Sequence, residues 1–270
     1  MRPLTIILKS TKEMNNILKS VILVIFLSSC TVEKVMFDID EETRKEPNGK
    51  IKSITFYSIS LYKKINDTAK IKFIYDDRNL PIEQIEYYKN DSLVVQRFYN
   101  DKKQLIKETV LGKTINIYRY DKKGNVSENE YFVNDTIAYV TKTIYDKKNN
   151  PINVVNIKDN IILSTTNYRY DYSKKTVDIT DVNPKQSETT SHVRYHFNKK
   201  GLIIQRDIIS SQNWSSKIKY DKFDQIEEFK TSSLTKTYVN KYDKKDNIIE
   251  VLKYEYNKPV RKMVFDIKYR

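Results

Sequence analysis

An aromatic residue followed directly by Asp or Asn recurs eight times along the sequence, at spacings of 21 to 27 residues with a mean near 24. Self-similarity at such a period indicates a chain built from repeated supersecondary units that share one continuous core. A truncated ninth copy is predicted at Phe265-Asp266, and Asn48-Gly49 with the run after Ile51 is predicted to be half of an incomplete first copy. The eight pairs are Tyr75-Asp76, Tyr99-Asn100, Tyr120-Asp121, Tyr145-Asp146, Tyr170-Asp171, Phe197-Asn198, Tyr220-Asp221 and Tyr242-Asp243.

The residues around each pair predict a β-hairpin. An Asp or Asn side chain accepts a backbone N–H two residues on and so begins an Asx-turn. The fourth residue after the aromatic is Gly, Asn or Asp in six copies, the residue types that tolerate positive φ. Beyond the turn, apolar and polar residues alternate with period two, which is typical of a strand. The fourth residues are Asn79, Lys103, Gly124, Asn149, Lys174, Gly201, Asp224 and Asp246.

The sequence therefore predicts an all-β fold over residues 50–270. We expect an antiparallel meander of about eight β-hairpin repeats that forms one elongated, curled sheet, with a closed or flattened β-barrel as the alternative. The 21 tyrosines suit such a sheet, because each ring buries area while its hydroxyl group remains in water.

The repeat motif, clearest in the segment from Tyr118 to Asn125, resembles the YD repeat of the RHS family. The resemblance covers residues 50–270 and implies hairpin ribbons of the kind that wrap into a shell around a toxin domain. A chain of 270 residues is too short for a complete shell, so the curled repeat sheet is what the resemblance carries over. It also implies an alternative function, as a component of an RHS-like toxin or immunity system.

The N-terminal segment predicts an exported, lipid-anchored protein. Residues 14–30 place Lys19 before an apolar run that ends in Leu27-Ser28-Ser29-Cys30, and this run is too short to span a bilayer. The segment resembles the lipobox of bacterial lipoproteins, which implies lipidation of Cys30 and an outer-membrane location on the periplasmic or cell-surface face. Residues 1–29 would then be the signal peptide, and residues 30–49 the lipidated N-terminus with a polar tether.

Composition leaves few kinds of chemistry open. One cysteine allows neither an internal disulfide nor a Cys-based zinc site. His192 and His196 lie four apart on a predicted strand, about 13 Å from each other, which is too far to share a metal ion. We therefore expect no metal, no cofactor, no catalytic residues and no nucleic-acid partner, and a non-enzymatic binding or interaction role at the cell envelope.

Basic residues at the predicted turns are the candidate binding surface. The turns hold 14 Lys or Arg against 10 Asp, a net charge of +4, and would meet a polysaccharide or another envelope protein. The candidate ligand-binding residues are Trp214, Lys122, Lys123, Lys147, Lys148, Lys199 and Lys200. Three Asp-Ser/Thr-aliphatic segments resemble the O-glycosylation acceptors of exported Bacteroidota proteins and point to Thr68, Ser92 and Thr136.

Overall fold

A computed structural model describes residues 47–61, 68–88, 91–184, 188–209 and 214–270 of the chain. Cys30, the predicted signal peptide and most of the predicted tether lie outside the described residues. None of the described segments forms a helix long and apolar enough to cross a membrane. The described part contains β1 (Ile51–Ser60), β2 (Thr68–Tyr75), β3 (Pro81–Tyr87), β4 (Ser92–Tyr99), β5 (Leu105–Val110), β6 (Lys113–Tyr120), β7 (Val126–Val133), β8 (Thr136–Tyr145), β9 (Pro151–Lys158), β10 (Ile161–Asp171), β11 (Thr176–Asn183), β12 (Glu188–Phe197), β13 (Ile203–Ile208), β14 (Trp214–Tyr220), β15 (Ile226–Lys230), β16 (Thr235–Tyr242), β17 (Ile248–Glu255) and β18 (Lys258–Tyr269).

The strands form one closed antiparallel barrel. Each strand pairs with its neighbours in sequence, and β1 also pairs with β18 from Ile51 opposite Tyr269 to Ser60 opposite Arg261. The predicted meander is confirmed, and of the two forms left open by the sequence the closed barrel is observed. Closure leaves no unpaired sheet edge, which removes the main route by which an extended sheet would pair with other chains.

The barrel closes through a ninth turn that is divided between the two ends of the chain. In an intact turn the Asp76 N–H donates to the Leu80 carbonyl oxygen (2.9 Å). In the divided turn the Arg270 N–H donates in the same way to the Lys50 carbonyl oxygen (3.0 Å). Tyr269 pairs with Ile51 as Tyr75 pairs with Pro81. The prediction of the ninth copy at Phe265-Asp266 was wrong, because the strand register puts Tyr269-Arg270 at that position.

The predicted half copy at the N-terminus completes this ninth turn. Gly49 has a φ of 94°, in the left-handed region where the fourth residue of seven intact turns also lies, and the absence of a Cβ permits this conformation. Asn48 and Asn247 exchange hydrogen bonds, which ties the divided turn to the eighth one. On the other side the Ile51 N–H donates to the Asn79 side-chain oxygen in the first turn (2.9 Å).

The two ends of the barrel differ in how regular their connections are. The eight intact aromatic-Asp/Asn turns lie at one end together with Asn48 and Arg270 of the divided turn, and we call this end the turn rim. Seven of these turns separate their strands by five residues, and the turn after Asp171 does so by four. Connections at the opposite end range from two residues, as at 111–112, to seven, as at 61–67.

Inward side chains bury one another along two parts of the barrel, β11 to β18 and β3 to β6. Alternation is clear in β14, where buried Ser216 and Ile218 lie between exposed neighbours. An apolar cluster fills the interior along β11 to β18 and includes Val177, Val251 and Met263, each without exposed surface. Buried polar side chains replace it along β3 to β6, where the interior holds an ion pair described below.

Circular permutation tests the divided turn. Joining Arg270 to Asn48 through one added residue reproduces the five-residue spacing of an intact turn, and new ends can be opened between Lys122 and Lys123. We expect this permutant of residues 48–270 to unfold in urea within about 1 kcal/mol of the unpermuted 48–270 chain, since permutation is tolerated at exposed loops between close termini.

The control permutant joins Arg270 directly to Asn48. It shortens the turn by one residue, and we expect it to be less stable than the one-residue version. If the direct join were the more stable of the two, the ends would not form a divided five-residue turn.

Candidate functional site

One side-chain oxygen organises each turn of the rim. Asp121 Oδ1 accepts the backbone N–H groups of Lys123 (2.8 Å) and Asn125 (2.9 Å), while the Gly124 N–H donates to the Asp121 carbonyl oxygen (3.0 Å). The same pair of bonds, to residues two and four positions on, occurs at Asp76, Asn100, Asp146, Asn198, Asp221 and Asp243. These are the Asx-turns that the motif predicts.

The turn after Asp171 departs from this pattern. Asp171 Oδ1 accepts the N–H groups of Ser173 and Lys174, and Lys175 has the positive φ that was predicted for Lys174. Lys103 has a φ of 62° in its own turn although lysine has no intrinsic preference for this region. The hydrogen bonds of the turn therefore determine the backbone conformation even where the residue type does not favour it.

Hydrogen bonding within the turns lowers the pKa of the aspartates that begin them. Partial burial raises the pKa of Asp121, but hydrogen bonds from Asn125, Lys123 and Gly124 outweigh this effect and hold the pKa below its usual value. At Asp171 the hydrogen bonds from Ser173 and Lys174 lower the pKa to about 2. These carboxylates are therefore ionised at neutral pH, with their charge directed toward backbone N–H groups.

Four motif tyrosines bond their repeat to the one before it. Tyr120 donates its hydroxyl hydrogen to the Leu105 carbonyl oxygen (2.6 Å), and burial with a contribution from Tyr145 raises the pKa of Tyr120 to about 12. Equivalent bonds join Tyr99 to Pro81, Tyr145 to Val126 and Tyr220 to Ile203, at 2.7 to 2.9 Å. Sequence reasoning found the aromatic position but not this hydroxyl bond, which the single Phe at Phe197 cannot make.

The predicted ligand-binding lysines all lie at the turn rim. Their side chains are exposed, but two of them have partners: Lys148 lies 3.4 Å from the centroid of the Tyr172 ring, and Lys200 forms an ion pair with Asp224 at 2.7 Å. Lys122, Lys123, Lys147 and Lys199 are exposed and form no ion pair with a described residue.

Trp214 does not join these lysines. It is the first residue of β14, at the opposite end of the barrel, and it packs against the apolar cluster of the interior. The structure therefore does not assemble one site from all seven candidate residues. Thr68, Ser92 and Thr136 also begin strands at that opposite end, where Thr68 and Thr136 are exposed and Ser92 is half-buried.

Each histidine has its own carboxylate partner. His192 Nε2 lies 3.2 Å from Asp178 Oδ1, and His196 Nε2 lies 2.7 Å from Asp207 Oδ2. No group of three or more potential metal ligands occurs among the residues that the structure describes.

A shallow cleft of about 410 Å³ lies at the rim between the turns 198–202 and 221–225. Lys200 and Lys219 line it, but Lys200 is paired with Asp224, and Lys219 with Glu228 at 2.8 Å. Paired charges of both signs leave this cleft without a preference for anions.

The interior holds an ion pair that the sequence analysis missed. Arg97 Nε donates to Glu108 Oε1 (3.0 Å) and Arg97 Nη2 to Gln84 Oε1 (2.7 Å), while Asn116 and Tyr118 donate to Glu108 Oε2. Burial, together with the charge of Glu108, raises the pKa of Tyr118. The available signal was the position of Arg97, two residues before Tyr99. Side chains two residues apart on a strand lie on the same face, and here that face is the interior.

Replacing Asp121 tests the Asx-turn. Asp121→Ala removes the acceptor, and we expect a loss of about 1 kcal/mol in the free energy of unfolding, as for other side chains that satisfy backbone N–H groups. Asp121→Asn keeps an acceptor, as Asn100 does in its turn, but lacks the negative charge, so at pH 7 it should lose less stability than Asp121→Ala yet remain below wild type. A depressed pKa contributes stability above pH 4 that is lost as pH falls through the folded value, so wild type should approach the Asn variant in acid. Urea unfolding from pH 7 to pH 2 measures this, and a constant difference between the two would contradict it.

Removal of the buried carboxylate should be far more costly than removal of an exposed one. Glu108→Gln leaves Arg97 buried without its counter-charge, and we expect a loss of about 3 to 5 kcal/mol. The matched control is Glu228→Gln, which breaks the pair of a half-buried carboxylate with the exposed Lys219 and should cost less than about 1 kcal/mol. Equal losses in urea unfolding would show that the inner pair is open to water.

No protein-family model and no curated protein matches the chain. A porin-like protein from Bacteroides uniformis is similar in fold, with a TM-score of 0.50 and 10% identity over 81% of this chain and 98% of that one. A porin-like protein from Bacteroides vulgatus has a TM-score of 0.36 at 10% identity over 83% and 99% of the two chains. The structure of TcdB2-TccC3-Cdc42 has a TM-score of 0.38 at 12% identity, over 72% of this chain but only 12% of that one. At 10% identity the first similarity shows the fold alone. The TM-scores of the other two are too low to establish a shared fold.

Proposed function

We propose that this protein is a lipid-anchored interaction module of the outer membrane, attached through Cys30 and without enzymatic activity. The observation that carries the proposal is the path of the chain: Asn48 lies within the turn rim, so the segment that leads back to Cys30 leaves from the rim. An anchored barrel would then hold its rim toward the membrane and present the opposite end to partners.

The outer wall supports a barrel that stands in water. Arg119 forms ion pairs with Glu128 and Glu130 across the β6–β7 pair, and Glu250 binds both Lys241 and Lys262 across β16 to β18. These lysine and arginine side chains are 40% to 64% exposed. A charged residue facing lipid costs about 2 to 4 kcal/mol near the bilayer centre, so a wall with this charge pattern fits water better than lipid.

The buried interior along β3 to β6 and β11 to β18 supports a role other than that of a pore. Barrels of 16 to 18 strands that conduct solutes keep a polar, water-filled lumen. Here the inward side chains at the level of Arg97 and Glu108 are buried and bonded to each other. We therefore do not extend pore function from the porin-like protein to this chain. We propose a polysaccharide or another envelope protein as its partner.

The opposite end of the barrel is the surface we propose for that partner. Its connections vary in length, and exposed apolar side chains lie in or beside several of them, including Val133, Ile137 and Ile161. The proposed O-glycosylation at Thr68, Ser92 and Thr136 would also fall on this end.

Metabolic labelling with palmitate in a Gram-negative host tests the anchor. We expect label in the wild-type chain and none in Cys30→Ser. The variant should be released into the soluble fraction, because it lacks the acyl chains that would anchor it. Trp214→Ala is the control and should label like wild type. Equal labelling of the wild type and Cys30→Ser would overturn the proposal.

A further inference from the structure

At the turn rim most carboxylates lie within the turns, whereas the basic side chains lie at the surface. Six of its ten aspartates occupy the Asx position, where their carboxylates accept backbone N–H groups and so point into the turns; they are Asp76, Asp121, Asp146, Asp171, Asp221 and Asp243. Of the other four, Asp77 is paired with Arg270 and Asp224 with Lys200. The 14 basic residues instead follow the Asx position, and the lysines of the Asp121, Asp146 and Asn198 turns are exposed. The outermost layer of the rim is therefore more basic than its net charge of +4 indicates.

The geometry of the rim favours a flat partner over a linear one. Neighbouring turns are about 10 Å apart, two strand spacings, so nine turns trace a closed path of about 90 Å. Charges interact well only within a Debye length of about 8 to 10 Å at physiological salt. A planar surface can bring many turns within that distance at once, whereas one polysaccharide strand meets only a few.

The chain itself brings the rim to such a surface. Sixteen residues lie between Cys30 and Pro47, so the two are at most about 60 Å apart and about 20 Å apart on average for a flexible chain. Because Asn48 lies in the rim, this short segment holds the basic end of the barrel, and not the opposite end, closest to an anchor at Cys30.

We propose that the turn rim rests on the anionic headgroups of a phospholipid bilayer and so fixes the orientation of the barrel on the membrane. The contact rests on the proposed anchor for its local concentration but uses different residues. Lys122, Lys123, Lys147 and Lys199 are the contact residues, because they are exposed and free of ion pairs with the described residues. The opposite end then points away from the bilayer.

Vesicle sedimentation tests this contact in a chain that carries no lipid on residue 30. The chain from residue 30 to 270 with Cys30→Ser is mixed with vesicles of phosphatidylcholine alone or with a quarter phosphatidylglycerol. We expect binding to the anionic vesicles only, with weakening as salt is raised. The rim variant Lys122→Glu, Lys123→Glu, Lys147→Glu and Lys199→Glu should bind at least about tenfold more weakly, since each lysine at the surface contributes to the attraction.

The matched control makes the same change of charge at the opposite end. Lys113→Glu, Lys158→Glu, Lys230→Glu and Lys258→Glu alter four exposed lysines at strand ends away from the rim, and this variant should bind within about twofold of wild type. Circular dichroism and urea unfolding verify that both variants are folded. Equal losses in the two variants, an unchanged rim variant, or equal binding to neutral vesicles would overturn the proposal. Retention on immobilised heparin without any vesicle binding would also overturn the proposal and would indicate a polysaccharide as the partner of the rim.

The anchor and the rim contact fail separately. If palmitate labelling shows no lipid but the Cys30→Ser chain binds anionic vesicles through the rim, the anchor is wrong and the rim contact stands. If the chain is labelled but the rim variant and wild type bind vesicles equally, the anchor stands and the rim contact is wrong.

Discussion

The hydrogen bonds that one Asp or Asn side chain accepts at the start of each turn are the constraint on which the rest of the barrel depends. Two backbone N–H groups on a single oxygen, as at Asp121, determine the length of the turn and thereby which residues face each other across the hairpin. A one-residue slip of a strand would move its inward side chains to the outside. The repeated turn thus determines which side chains reach the interior, from the apolar cluster around Val251 to the ion pair of Arg97 and Glu108.

The sequence predicts the local structure of this protein well, because turn chemistry and period-two alternation act over a few residues. The turns at Asn79, Gly124 and Asn149 are where the motif places them. Closure could not be predicted, since it depends on a pairing between Ile51 and Tyr269 that are more than 200 residues apart. The misplaced ninth copy at Phe265 has the same cause: a local motif match cannot show which aromatic residue lies opposite β1.

The candidate site was predictable in part for the same reason. The lysines follow the Asx position and so occupy the rim wherever the turn forms, but whether each is free depends on neighbours from other repeats, as for Lys148 on the ring of Tyr172. Trp214 was grouped with the lysines although it lies at the other end, because a loop tryptophan has no local signal for its direction. The buried Arg97 likewise depends on partners from two other strands.

The unequal ends of the barrel have a consequence for how such a chain can change. At the rim, a turn of altered length would shift the register of its hairpin, and the two chain ends must meet there for the ring to close. Connections at the opposite end already differ, from two residues at 134–135 to seven at 61–67, without affecting closure. Differences in connection length are therefore better accommodated at that end than at the rim, where seven turns have five residues and one has four, so the opposite end can diversify more freely than the uniform base beneath it.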